Sequence, residues 1–472
     1  MERVSLIDSN ENLPKVRASQ VIKPIVERHV GDAAFYWSQL DRSTHSPLLN
    51  INGVLHFEKR LTAHLDGVVV ADERGWQLAV ASLRRWRGAG EMFVCASLVL
   101  RMRDRTFQQQ RWLEILAILQ TDPRRMLRGV IAALLRVSPA AAFPWIISFI
   151  KPDQPTELQV AAWRTLARSH ALCSSFPPSE LAKLLEQATA NTHTHTDTNC
   201  HVLAAACRVS VMAGSEQIAA KLVQSPDRAT SAEAAIALAQ YGRLDAGLHH
   251  LWRAVWAQVE DTNCLTGAYK SLAAHRLARW VRHLGVLVPK GHDHVPRLLQ
   301  MLPTRIALSF LLHHADDKHL DWIQAQLGNP QCARLAGWTW ATLLGIDLER
   351  SGLAQPPQRS EESSHRATDD LDPGIPLPHI AAIRHFNAAG LEGTHTLSSQ
   401  LRTADACRLI LRKGPQVLRW IAAQHLSRIE SNLSTASPPF DTKADARHQL
   451  SLMHAWDQPG SAQRSTTGKA KP

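Results

Sequence analysis

Tyrosine is scarce in this chain, 3 of 472 residues against 14 tryptophans, and aromatic residues make up only 6%. The runs of Val, Ile, Thr and Tyr that build sheets are sparse, whereas Ala and Leu, strong helix formers, abound. That balance excludes a sheet protein and predicts an all-α fold. No G-x-x-x-x-G-K-[ST], G-x-G-x-x-G or H-E-x-x-H motif occurs, and Ser, His and Cys form no nucleophile elbow. The familiar signatures of nucleotide binding, zinc hydrolysis and acyl transfer are therefore missing. The seven cysteines include no C-x-x-C pair and sit mostly among Ala, Leu and Val. An odd count without a framework argues for a reducing compartment. Residues 1–14 carry charges and no apolar h-region, and no apolar run reaches membrane length. The expectation is a soluble cytoplasmic protein.

What is present is helix punctuation. Asp122-Pro123, Ser138-Pro139, Ser225-Pro226 and Asn329-Pro330 each join an N-cap residue to a proline suited to the first helical position. Pro123, Pro139 and Pro155 are sixteen residues apart. Two such steps make a helical hairpin of about thirty residues, the size of an α-solenoid repeat. The pattern predicts an α-solenoid of HEAT-like helical hairpins. Residues 1–20 read as a flexible N-terminus, 21–120 as an N-terminal helical region and 121–350 as the repeat array. The Pro-, Ser- and acid-rich stretch 351–378 reads as a mobile linker, 379–457 as a C-terminal helical region and 458–472 as a disordered tail. Gly328-Asn329-Pro330 is a stop, cap and restart, and Trp338 and Leu343 are expected in the core of the last repeat.

Net charge is +11, which favours acidic partners. The densest basic stretch, 84–128, includes Arg84, Arg85, Arg87, Arg101, Arg103, Arg105, Arg111, Arg124 and Arg125. Arg and Trp adjoin at Arg84-Arg85-Trp86-Arg87, Arg111-Trp112 and Arg279-Trp280. A concave solenoid lined this way would hold a nucleic-acid backbone and stack bases on its aromatics. Neighbouring helix residues do not share a face, however, so the pattern also fits buried Trp and solvated Arg. Asp104, Glu114 and Asp122 interrupt the basic field.

Two clusters carry the residue types of chemistry. Glu58, His64 and Asp66 fall on or near one helix, and a carboxylate–histidine set suits acid–base work, although the same residues serve helix ends and interfaces. The segment T-H-T-H-T-D-T-N-C-H holds His193, His195, Asp197, Cys200 and His201, all of zinc-ligating type. Without a second cluster at conventional spacing it reads as a polar loop. The pairs His249-His250, His292-x-His294 and His313-His314 are weaker, because adjacent helical histidines point in different directions. No catalytic residue, cofactor or metal ligand is assigned. The residues set aside for binding are Glu58, His64, Asp66, Arg84, Arg85, Arg101 and Arg105.

The run V-E-R-H-V-G-D-A-A-F-Y-W (26–37), followed by F-E-K-R-L-T-A-H-L-D-G-V-V-V-A-D-E-R-G-W (57–76), resembles the opening of an uncharacterised bacterial family with HEAT-like repeats, often encoded near type VI secretion genes. L-A-G-W-T-W-A-T-L-L-G-I-D-L (335–348) is similar to that family's last repeat, and L-R-K-G-P-Q-V-L-R-W (411–420) and F-D-T-K-A-D-A-R-H-Q (440–449) to its C-terminal region. The chain departs at I-P-L-P-H-I-A-A-I (375–383), where the family carries tryptophans. The resemblance implies a HEAT-like fold, a bacterial cytoplasm and a secretion-associated neighbourhood. Together with the solenoid pattern it gives the expected function: a non-enzymatic scaffold or adaptor whose partner is a protein, such as a secretion component or effector. The alternative is a basic nucleic-acid-binding solenoid, with a DNA-repair glycosylase as its enzymatic form.

Overall fold

The computed structural model describes residues 21–190, 197–210, 212–240, 243–356, 371–386, 396–431 and 440–457. These residues form 24 α-helices and no β-strand. None of the described helices is long and apolar enough to cross a membrane. The chain divides into two compact units, Met1–Ala219 with Asp441–Pro472, and Ala220–Phe440. That division cuts across the expected array 121–350.

In the first unit five of the helices build an inner row. Lys23–Arg42 packs on Ala89–Leu100, which packs on Pro123–Leu135, then Thr156–Leu166, then Asp197–Ser210. The reason lies in the side chains of Ala89–Leu100. Every residue from Met92 to Leu100 is buried, so this helix has no solvent face and persists only inside the row. Arg105–Leu119, by contrast, buries only Gln108, Trp112, Ile115 and Leu119. Two glycines let the row close. A Cβ at Gly90 would stand 2.6 Å from the Ala34 carbonyl oxygen. One at Gly129 would run into the Ala89 carbonyl oxygen and stand 2.7 Å from the Phe93 nitrogen. The neighbouring backbones touch where a side chain would separate them.

The proline caps hold at two of the four sites. Asp122 accepts from Arg125 N–H (3.4 Å) and Ser138 from Ala141 N–H (3.3 Å), each with proline opening the helix. At 225–226 the cap moves to Asp227, which accepts from the backbone and hydroxyl of Thr230, both at 2.7 Å. A carboxylate accepting two such bonds outcompetes the Ser225 hydroxyl, which is turned to the Asp227 N–H. At Asn329-Pro330 the asparagine turns the chain by accepting from Gln331 N–H (3.1 Å), and the helix starts only at Ala333.

In the second unit Arg228–Gln240, Leu244–Cys264, Gly267–Leu287, Thr304–His314 and Ala333–Leu344 pack in chain order, and Gln416–Ser431 returns onto the first and third of these. Within Ala333–Leu344 the expectation for Leu343 holds and that for Trp338 is corrected. Trp340 is the buried tryptophan (2% exposed) while Trp338 is half-buried. The described ends of the expected linker are held in place. Ala354 and Pro378 form an antiparallel bridge, and Gln355 N–H donates to the Leu377 carbonyl at 2.7 Å. Leu353 and Ile375 are buried, and Arg305 forks onto Asp372 at 2.5 and 2.7 Å. Two apolar anchors and a charged fork outweigh the polar composition there; 357–370 lie outside the described residues.

Five of the seven cysteines are buried, and burial pushes the Cys173 thiol up to about 12, so that thiol stays protonated and inert.

Gly129→Ala gives a test of sign. In an exposed helix the change stabilises by about 1 kcal/mol. Here the added methyl meets backbone, and a net loss of about 1–3 kcal/mol is expected in urea unfolding. In the second unit, Trp340→Ala is expected to cost about 3–5 kcal/mol, and Trp338→Ala clearly less.

Candidate functional site

Glu58 lies in the apolar stripe of the helix Ile51–Val70, among Val54, Leu61 and Leu65, and is 5% exposed. A buried carboxylate needs partners, and it has two. Arg136, just past the end of Pro123–Leu135, donates to Oε1 at 3.0 Å. The N–H of Ala446, 388 residues away, donates to Oε2 at 2.8 Å. Ala446 opens the helix Ala446–Ala455, so the carboxylate also meets the positive end of a helix dipole. Arg136 continues over the Phe93 ring, 5.8 Å from its centroid. Burial pushes the Glu58 carboxyl up, and Asp445 adds to this. Arg136 and the Ala446 N–H pull it down, but the net direction is upward. Glu58 thus clasps segments from the start, middle and end of the first unit.

His64 points elsewhere. Its Nδ1 lies 3.0 Å from Nδ1 of His29 and 3.7 Å from Asp32, and its ring stacks on Tyr36 at 5.5 Å. Burial, opposed by Asp32 and reinforced by His29, lowers its pKa. Asp66 turns to a third neighbour, accepting from Arg101 at 2.9 Å. Glu58, His64 and Asp66 therefore engage three separate sets of partners, and the structure does not bring them together.

Acids meet four residues of the basic stretch. Arg84 pairs with Glu114 (2.7 Å), Arg101 with Asp66 (2.9 Å) and Arg128 with Asp41 (2.8 Å). Arg111 pairs with Glu73 while lying 5.0 Å over the Trp76 ring. Arg105 reaches Gln108 at 3.3 Å, and Arg85 stacks over Trp86 at 4.8 Å. A groove of about 290 Å³ is lined by Arg84, Arg87, Glu114, Ala117, Ile118 and Thr121. Trp86, 56% exposed, stands between Arg85 and Arg87 in the chain, and Leu113, 69% exposed, precedes Glu114. The groove can seat an apolar side chain on Ala117 and Ile118, beside Arg87 and the Arg84–Glu114 pair.

Sequence reasoning missed a second constellation. His314, Asp316 and His319 each bring one ligating atom to within 4.8 Å of the others. The side chains of His314 and Asp316 are 0% and 3% exposed. Ala315, at φ 52°, ends the helix Thr304–His314 in the left-handed region and turns Asp316 back beside His314. His314 Nε2 stands 3.5 Å from Asp316 Oδ2, and the ring also interacts with the Gly285 backbone, although neither contact is a well-formed hydrogen bond. His319 Nε2 is likewise buried and unpartnered. Asp316 is held by the N–H groups of Gly291 (2.8 Å) and Lys318 (3.2 Å). Burial pushes this carboxyl up, but those bonds and the histidines win and its pKa falls. Burial lowers the pKa of His319, and that of His314 to about 4, leaving neutral rings with a free lone pair. The signal in the sequence was His314-Ala-Asp316-Asp-Lys-His319 just beyond a helix; reading His313 and His314 as a pair hid it. His313 instead places Nδ1 2.6 Å from the Ser309 carbonyl oxygen.

Of the 193–201 segment, His193 and His195 lie outside the described residues; His201 is exposed and Cys200 half-buried on Asp197–Ser210. His292 and His294 flank Trp252, 5.0 and 6.2 Å from it. No family model, curated protein or solved structure matches the chain.

The raised Glu58 pKa fixes the sign of a pH effect. The folded state holds that proton more tightly than the unfolded state, whose carboxyl has the ordinary value near 4.5. Charging Glu58 therefore costs stability as pH rises through its folded pKa. Between pH 7 and 4.5 the wild type is expected to gain on Glu58→Gln as pH falls, and the difference to level off below. Urea unfolding of both proteins across that range measures it; an ordinary surface salt bridge gives the opposite slope.

Proposed function

We propose that the chain is a non-enzymatic adaptor, an α-solenoid of HEAT-like hairpins that holds a protein partner, in a bacterial cytoplasm beside a type VI secretion apparatus. The setting rests on the family resemblance of 26–37, 57–76, 335–348, 411–420 and 440–449. The solenoid reading is supported by the inner row of five helices in the first unit. The observation that carries the binding role is the groove lined by Arg84, Arg87, Glu114, Ala117, Ile118 and Thr121, with the exposed Trp86 and Leu113 adjoining its lining residues in the chain. Large exposed apolar residues next to a cationic rim are the composition of a protein-binding hot spot, in which a few side chains supply most of the affinity. The occupant that fits is an apolar segment flanked by acidic residues. A nucleic-acid role needs a continuous basic face, and Glu114, Asp66, Glu73 and Asp41 are paired into the basic stretch.

Capture of partners from a bacterial lysate by the immobilised full chain, with mass spectrometry, tests the reading. A secretion component retained by wild type is expected to bind at least about tenfold more weakly to Trp86→Ala. Labelled duplex DNA is expected to bind weakly and to be released as salt rises. Tight, salt-resistant DNA binding abolished by charge reversal at Arg101 and Arg105 would replace the adaptor with the nucleic-acid-binding solenoid.

A further inference from the structure

We propose that His314, Asp316 and His319 bind one divalent transition-metal ion of the zinc class, which locks the turn after the helix Thr304–His314. Three features of the site carry this. The donor set is two imidazoles and one carboxylate from a six-residue stretch, which suits zinc and its first-row neighbours and supplies three of four tetrahedral positions. Calcium and magnesium take six or more oxygens, and only one carboxylate is on offer. Lys290 and Lys318 border the site, Lys290 acting on His314 and Lys318 lying against Gly291. That positive field opposes any cation, so coordination by the two imidazole nitrogens and the carboxylate has to outweigh it.

The second feature is burial without satisfaction. A fully buried imidazole ordinarily finds a partner for each nitrogen, because leaving one bare costs about 1–3 kcal/mol. The His314 ring is 0% exposed, with only the Gly285 backbone and Asp316 Oδ2 at 3.5 Å beside it, and the buried His319 Nε2 has no hydrogen bond. A coordinated cation answers the open lone pairs of both rings at once. Donors on a tetrahedral zinc stand about 3.3 Å apart, given bonds of about 2.0–2.1 Å. The separation of 3.5 Å between His314 Nε2 and Asp316 Oδ2 is already close to that. Only His319, half-buried and at the edge of the site, has to move inward from within 4.8 Å.

The third feature is the supporting shell. Gly291 donates to the Asp316 oxygen nearest His314, and at φ 72° it is a residue for which any side chain would be strained. Lys318 N–H fixes the other oxygen. Phe310 stacks on the His314 ring at 5.3 Å and fixes its plane. Ligands held this way are pre-oriented, and such outer contacts alone are worth about 10–100-fold in metal affinity.

The test uses the full chain purified without a histidine tag. Elemental analysis is expected to find one zinc per chain, and metal-stripped protein is expected to take up one Co²⁺ with visible d–d absorption. His319→Ala, a change at the most accessible ligand, is expected to weaken Co²⁺ binding by more than about 100-fold. The variant His193→Ala/His195→Ala, which removes the competing histidines, is expected to keep its zinc. X-ray absorption on that variant, which does not depend on how His319→Ala folds, is expected to show two imidazoles in the zinc shell. Failure of the stripped wild type to take up Zn²⁺ or Co²⁺, uptake unaffected by His319→Ala, loss of metal in the His193/His195 variant, or a thiolate shell would each overturn the proposal.

Discussion

Backbone-to-backbone contact along the helix Ala89–Leu100 is the constraint on which the first unit depends. A helix buried from Met92 to Leu100 cannot turn a polar side to water, so it is stable only when covered on every side. Covering it brings Ala34 against Gly90 and Ala89 against Gly129, at distances that leave no room for a Cβ. The apolar area removed from water this way drives the assembly, and the glycines decide how near the helices stand. The polar network then follows from position. Once Pro123–Leu135 is seated, Arg136 at its end meets Glu58, and Glu58 in turn receives the first N–H of Ala446–Ala455. The clasp is costly in desolvation, and its value lies in fixing which segment closes the unit.

The second unit repeats the device. A Cβ at Gly247 would stand 2.5 Å from the Ala235 carbonyl oxygen, and one at Gly285 would stand 2.9 Å from that of Phe310. Gly285 brings Gly267–Leu287 hard against the end of Thr304–His314, where His313 and His314 become buried. The chain leaves through the left-handed Ala315 and is caught by Asp316 on the Gly291 N–H. Close helix packing thus creates the enclosed histidine environment, and the turn supplies the carboxylate. The groove of the first unit has the opposite origin. Arg105–Leu119 buries only one stripe, so Leu113 stays outside the core, and Trp86 is exposed as the last residue of the helix Asp72–Trp86.

Much of the secondary structure was legible because helix periodicity and capping are local. Asp122-Pro123 and Ser138-Pro139 specify their helix starts within four residues. Trp338 and Trp340 were not separable in the sequence, since both lie in an apolar run with no polar spacing to mark its inner side. Glu58 read as a candidate binding residue, and its structural partners were hidden because they are 78 and 388 residues away. Arg84, Arg101 and Arg111 looked like a basic field because their acids sit on other helices. His314 and Asp316 converge only through the conformation of Ala315, a residue that does not announce a positive φ.

Hydrogen exchange on the intact chain tests most directly whether the inner row carries the first unit. Amides of Ala89–Leu100 and Pro123–Leu135 are predicted to exchange only through global unfolding of that unit, and those of Arg105–Leu119 through smaller openings at least about tenfold faster. Exchange of Ala89–Leu100 as fast as that of Arg105–Leu119 would contradict the account.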